Sequence, residues 1–122
     1  MPTSTRNDRL KESLAQSSEI TITVKGRKSG RSISIPVWFV WESDKLNLLP
    51  VQGSDTQWYK NVLKNPKMRI ESKGAEGEFK AAPISDSKQV SAIADQFRRK
   101  YGASDVKKYY SKLDVAILAE PQ

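Results

Sequence analysis

The stretch from Ile20 to Trp41 constrains this chain more than any other. Ile20, Ile22 and Val24 alternate with Thr21 and Thr23, the period of two that marks a half-buried strand. Lys25–Gly30 then turns the chain. Arg31–Trp41 alternates through Ile33 and Ile35 before becoming apolar on both faces over Pro36-Val37-Trp38-Phe39-Val40-Trp41. A strand apolar on both faces reads as enclosed, so the hairpin predicts a β core with its second strand at the heart of a small barrel.

The rest of the chain fits around that hairpin. Ser43-Asp44 predicts a tight turn into a strand over Lys45–Val51, with Leu46, Leu48 and Leu49 in the core and Pro50 marking an end or an edge. Further strands are expected over Lys67–Lys73 and Glu78–Ile84, joined by Gly74 to Gly77, and over Leu113–Ala119. A short amphipathic helix with Leu10 and Leu14 is expected over residues 8–17. Ser54 or Asp55 can cap a helix that carries Trp58, Val62 and Leu63 on one side and stops before Asn65-Pro66. After Asp86/Ser87, the residues Val90, Ile93, Ala94, Phe97 and Tyr101 keep one helical face until Gly102. Ser104 can cap a last short helix through Tyr110. The reading is α+β: about six mostly antiparallel strands in a small barrel, flanked by three or four helices. One domain is expected over 1–122, with 1–18 as an N-terminal helix or arm.

Histidine and cysteine are both absent. That removes Ser–His–Asp and Cys–His hydrolases and disulfides, and leaves metal binding to carboxylates, so no metal site is expected. Chemistry then falls to a bound cofactor or to Tyr, Lys, Asp and Glu. The formal charge of +7 predicts an anionic partner: nucleic acid, a membrane surface or a phosphorylated small molecule. No apolar run approaches the roughly 18 residues of a membrane span, and the N-terminus lacks the apolar core of a secretory signal, so a cytoplasmic protein is expected.

Two segments can hold an anion. At Gly26-Arg27-Lys28-Ser29-Gly30-Arg31, glycines let backbone N–H groups approach an oxyanion while Arg27, Lys28 and Arg31 supply charge-assisted bonds. The same residues also suit a solvated hairpin tip. At Val51-Gln52-Gly53-Ser54, a Gly-Ser turn precedes a helix N-terminus, a natural phosphate seat that serves equally for ordinary capping with Trp58 and Tyr59 as core aromatics.

The order I-T-x-K-G-R-K-S-G-R, a P-x-W-F-V strand and W-Y-x-N-x-L-x-N-P resembles the deazaflavin-dependent nitroreductase family over residues 20–119. These are split β-barrel proteins, related more distantly to pyridoxamine 5′-phosphate oxidase-like flavin proteins. The resemblance implies an oxidoreductase that transfers hydride between a deazaflavin coenzyme (F-420), or alternatively FMN, and an electron-poor small organic acceptor. It implies that Arg27, Lys28 and Arg31 grip the cofactor's phosphate, that Val51, Gln52, Gly53 and Ser54 hold it through their backbone, and that Trp58 lies near its ring. Tyr101 and Trp38 would border the substrate, Tyr109 or Tyr110 would donate a proton to the reduced product or simply pack against it, and two chains would form a homodimer. This chain has Val51-Gln52-Gly53-Ser54 where family members often carry Ser-Lys-Gly-Gly.

Two other readings stand beside this one. A catalytically silent relative can bind flavin, haem or another anionic ligand in the same cleft. A single-stranded nucleic-acid module would use Trp38, Trp41 and Trp58 as stacking platforms, but Trp38 and Trp41 lie in the most apolar run, where burial is expected instead.

Overall fold

The computed structural model describes residues 4–122. Helix α1 (Ser4–Gln16) leads into strands β1 (Ile20–Lys25), β2 (Ser32–Val37), β3 (Val40–Glu42) and β4 (Lys45–Leu48). A 3₁₀ turn (Gly53–Asp55) precedes α2 (Gln57–Lys64), then come β5 (Lys67–Ser72), β6 (Ala75–Ile84), α3 (Ser87–Tyr101), α4 (Ala103–Tyr109) and β7 (Ala116–Pro121). The seven strands form one antiparallel sheet in the order β2-β1-β5-β6-β7-β4-β3. This is the α+β split barrel expected, with one strand more than the sequence suggested.

The extra strand is a correction. Arg31–Trp41 is not one enclosed strand; it bends at Trp38-Phe39, and its halves, β2 and β3, are the two edges of the sheet. Six inter-strand gaps of about 4.8 Å would set those edges roughly 29 Å apart if the sheet were flat. Three Cα steps from Val37 to Val40 span at most about 11 Å. The sheet must therefore curl until its edges meet. Pro36, which has no N–H to give a second neighbour, is tolerated because β2 pairs on one side alone, with β1.

Apolar residues on both faces of this segment serve two cores instead of one. Ile35, Val37 and Trp41 pack on the cluster inside the barrel, with Ile22, Leu46, Phe79 and the α1 residues Leu10 and Leu14. Trp38 and Val40 pack on a second cluster beneath α3 and α4, built on Val90, Phe97, Val106 and Tyr110. Phe39 is the only residue of the run that is fully buried.

The other elements differ from expectation mainly at their ends. The β4 strand stops at Leu48, before Pro50. The Asp86 side chain accepts from the Gln89 N–H at 3.0 Å, and Gly102, with φ 96°, ends α3. Gly102, not Ser104, also begins α4. Thr56, not Ser54 or Asp55, precedes α2, without a side-chain capping bond. On α2, Trp58, Tyr59, Asn61 and Val62 form the buried arc, and Leu63, turned about 100° beyond Val62, is 52% exposed. Helix α1 covers most of the expected N-terminal helix or arm; residues 1–3 lie outside the described residues. Among the described residues no helix is long and apolar enough to cross a membrane.

Candidate functional site

The bend at Trp38-Phe39 opens a cleft of about 310 Å³ between the β2 edge, the start of α2 and the end of α4. Its aromatic wall is Trp38, Trp58, Tyr109 and Tyr110; Ile35, Pro36, Val37, Leu49 and Val51 complete the apolar lining. Glu19 is the one charged residue at its border. Trp38 meets Tyr109 edge-on, at 5.5 Å between centroids and 79° between planes, and Tyr110 at 6.1 Å and 53°. Tyr110 is buried whereas Tyr109 is 53% exposed. Burial pushes the Tyr110 phenol above the ordinary tyrosine range, with the nearby Tyr101 adding to the effect, so it stays protonated at neutral pH.

The bend is braced from α3. Tyr101 stacks on Trp38, with centroids 4.3 Å apart and planes 7° from parallel. Its hydroxyl accepts from the Phe39 N–H at 3.0 Å and lies within donating distance of the carbonyls of Phe39 (2.9 Å) and Ser18 (2.8 Å). Burial pushes this phenol up to about 12, against the Phe39 backbone bond and with the help of Glu19. Lys100 Nζ donates to the Phe39 carbonyl at 2.8 Å and sits 3.6 Å from the centroid of the Phe39 ring. Desolvation lowers its ammonium to about 8. Tyr101 thus stands behind the cleft wall and does not line it.

The loop at 51–55 is not an open donor array. Gln52 N–H donates to Thr56 Oγ1, Gly53 N–H to the Pro50 carbonyl, Asp55 N–H to the Gln52 carbonyl and Thr56 N–H to the Gly53 carbonyl. Ser54 gives its N–H (3.0 Å) and its hydroxyl (2.6 Å) to the two carboxylate oxygens of Asp114. Lys112 Nζ ties this carboxylate to Asp55, at 3.7 and 3.2 Å. Desolvation works against the Asp114 anion, but the Ser54 bonds and Lys112 outweigh it and hold the carboxyl below its ordinary range. Gly53 has φ 56°, and a Cβ there would collide with Asp114 Oδ1. A carboxylate of the chain itself occupies the seat where an external anion was expected.

At the hairpin tip the three expected cations separate. The Arg27 guanidinium donates to Asn61 Oδ1 at 2.8 Å and Gln57 Oε1 at 2.8 Å, and the Arg27 N–H reaches the same Asn61 oxygen at 3.1 Å. Asn61 is 5% exposed. Arg27 therefore fastens the tip to α2. Lys28 and Arg31 are exposed, and neither is ion-paired among the described residues. Lys25, Lys28 and Lys64 border an open hollow of about 500 Å³ at this tip.

Of the residues expected at a site, Trp38, Val51, Trp58, Tyr109 and Tyr110 come together at the cleft. Gln52, Gly53, Ser54 and Tyr101 do not line it, nor do Arg27, Lys28 and Arg31. Sequence reasoning missed Glu19, Leu49, Asn61, Lys64 and Asp114. The N of the W-Y-x-N motif was the available signal for Asn61; nothing local marks Asp114, which meets Ser54 across 60 residues.

These features define a split barrel whose bend bears an aromatic cleft. The fold is shared with an F420-H2 dependent reductase (FDR-A), at TM-score 0.66 and 19% identity over 84% of this chain and 94% of that one. It is shared also with HutZ, the haem storage protein from Vibrio cholerae, at TM-score 0.69 and 15% identity over 94% and 89%. A chain described as a domain-swapped dimer matches at TM-score 0.67 and 18% identity over 98% and 100%. Likeness at such identities establishes the fold. The chain itself belongs to the family described as "Uncharacterized protein conserved in bacteria (DUF2255)", whose profile matches residues 11–116. No curated protein matches its sequence.

Proposed function

We propose that this protein binds a deazaflavin- or flavin-type cofactor and serves as an oxidoreductase toward a small, electron-poor organic acceptor. The observation that carries the reading is the aromatic cleft, about 310 Å³ and walled by Trp38, Trp58, Tyr109 and Tyr110. A planar ring fits such a lining. An anionic tail fits the hairpin tip: Ile35 in the cleft and Arg31 at the tip are four residues apart along one edge, about 13 Å at 3.3 Å per residue. Lys28 and Arg31 would hold the tail, with Lys64 beside them, and the 51–54 loop would contribute Val51 alone while Asp114 holds the rest.

When bound, the cofactor supplies the hydride. The chain's own residues bind, orient and exclude water, and the protonated Tyr110 hydroxyl can give a hydrogen bond to the acceptor. Haem is the weaker candidate, since a chain without His or Cys lacks the commonest axial ligands. The reading includes a homodimer, supported by Ile33, 38% exposed on an edge strand, and by the shared fold of the domain-swapped dimer. Light scattering should give twice the chain mass; a monomer at micromolar concentration overturns that part.

Titration with coenzyme F-420 and with FMN, followed by fluorescence at low and high salt, tests the cofactor. Saturable binding of one is expected, and Lys28→Ala with Arg31→Ala should weaken it about tenfold or more by removing charge-assisted bonds. Binding of neither would overturn the reading.

A further inference from the structure

We propose that the cleft selects a positively charged organic substrate, an electron-poor acceptor that carries an aryl- or alkylammonium group, with Glu19 as its counter-charge. The inference rests on the reading of this cleft as the place where the acceptor meets the cofactor ring, and it names the class of substrate that is taken there.

The lining argues against the charge of the whole protein. Lysine and arginine number 21 in this chain, yet neither type is found among the cleft's lining residues, and the one charged side chain at its border is a carboxylate. Glu19 is exposed at the cleft's rim, where a cationic ligand gains a charge-assisted contact that a neutral one cannot make. The net charge of +7 weighs little against a cation here, because physiological salt screens exposed charges more than about 8 Å away. At contact distance Glu19 decides.

The rings supply the second half of the recognition. Trp38 stands nearly perpendicular to Tyr109 and is tilted by 53° to Tyr110, so the cleft offers π faces in more than one direction. One ring of the wall already meets an ammonium group, with Lys108 Nζ 5.4 Å from the centroid of Tyr109; behind the wall, Lys100 Nζ lies 3.6 Å from that of Phe39 and 5.2 Å from that of Tyr101. Wall and counter-charge also share one brace. The Tyr101 hydroxyl approaches the carbonyl of Ser18, next to Glu19, at 2.8 Å while the Tyr101 ring stacks on Trp38.

Calorimetric titration of the intact protein with (3-hydroxyphenyl)trimethylammonium and its neutral isostere 3-tert-butylphenol tests this directly. The cation should bind at least about tenfold tighter, and the preference should shrink with salt. Glu19→Gln should erase the preference and leave the affinity for 3-tert-butylphenol unchanged. Equal binding of the two probes, a preference that survives Glu19→Gln, or binding of neither probe overturns the inference. Coenzyme F-420 titrated in parallel separates the two ideas: coenzyme bound without cation preference leaves the cofactor reading standing alone, and cation preference without coenzyme binding does the reverse.

Discussion

The hairpin tip at Lys25–Arg31 and the loop at Val51–Asp55 carry the same ingredients for holding an anion: glycines, backbone donors and hydroxyl or cationic side chains. At the tip, Arg27 is drawn inward to Asn61 and Gln57, while Lys28 and Arg31 stay in solvent without ion pairs among the described residues. In the loop, the N–H groups from Gln52 to Thr56 all have partners, and Asp114 sits against Ser54 as a built-in anion. Whether a donor-rich turn can receive a ligand depends on what the rest of the fold has already offered it. By that measure the tip is available and the loop is taken.

Substitutions can break this contrast, beginning with the tether. Arg27→Ala removes the guanidinium bonds to the buried Asn61 oxygen and to Gln57, leaving Asn61 Oδ1 only the backbone N–H of residue 27, and should cost about 2–3 kcal/mol of stability in urea unfolding. Arg27→Lys should recover only part of that, because one ammonium cannot reproduce the guanidinium fork. A loss below about 0.5 kcal/mol, the range of ordinary surface changes, would show that Arg27 is as free as its neighbours.

Gly53→Ala should come next, at about 1–2 kcal/mol for the left-handed backbone, with a further loss from displacing Asp114. Amide exchange at Ser54 should accelerate in this variant; an unchanged rate would mean that Asp114 does not seal the loop. Asp114→Asn should cost less than about 1 kcal/mol, since the site is largely exposed. Its signature is the pH profile. A carboxyl held below its ordinary value stabilises the fold above that value, and the contribution disappears as pH falls toward the lower folded pKa. The variant should lack this acid limb, which sets in near the ordinary aspartate value of about 4 and continues below it. Smallest of all, Lys28→Ala with Arg31→Ala should leave stability within about 0.5 kcal/mol while weakening cofactor binding. A large loss of stability there would make the tip structural throughout.

Much of the scaffold was legible in the residues because its signals are local. The alternation of Ile20 to Val24, the face shared by Val90, Ile93, Ala94 and Phe97, the Asp86 cap and the Gly102 stop each depend on neighbours within a few positions. The bend at Trp38-Phe39 was not legible, since a run apolar on both faces looks the same whether one core encloses it or two cores divide it. The aromatic members of the cleft could be named from the sequence, but Glu19 is a single acidic residue between Ser18 and a strand, with nothing local to distinguish it. Asp114 and Asn61 matter through partners 60 and 34 residues away. The second of these contacts joins the G-R-K motif to the W-Y-x-N motif, so two patterns that read as separate signals are the two ends of one pair of hydrogen bonds.

The order in which the strands are made carries a cost for a growing chain. The sheet places β7 between β6 and β4, yet β7 follows all of them in sequence. A ribosome that has released residues up to Tyr110 has delivered six of the seven strands and all four helices, with two facing edges whose backbone groups have no mate. Such edges are templates for pairing with another chain. Barrel closure therefore waits on the segment Ala116–Pro121, and a product shortened before it should be lost to aggregation during synthesis, however sound its remaining core.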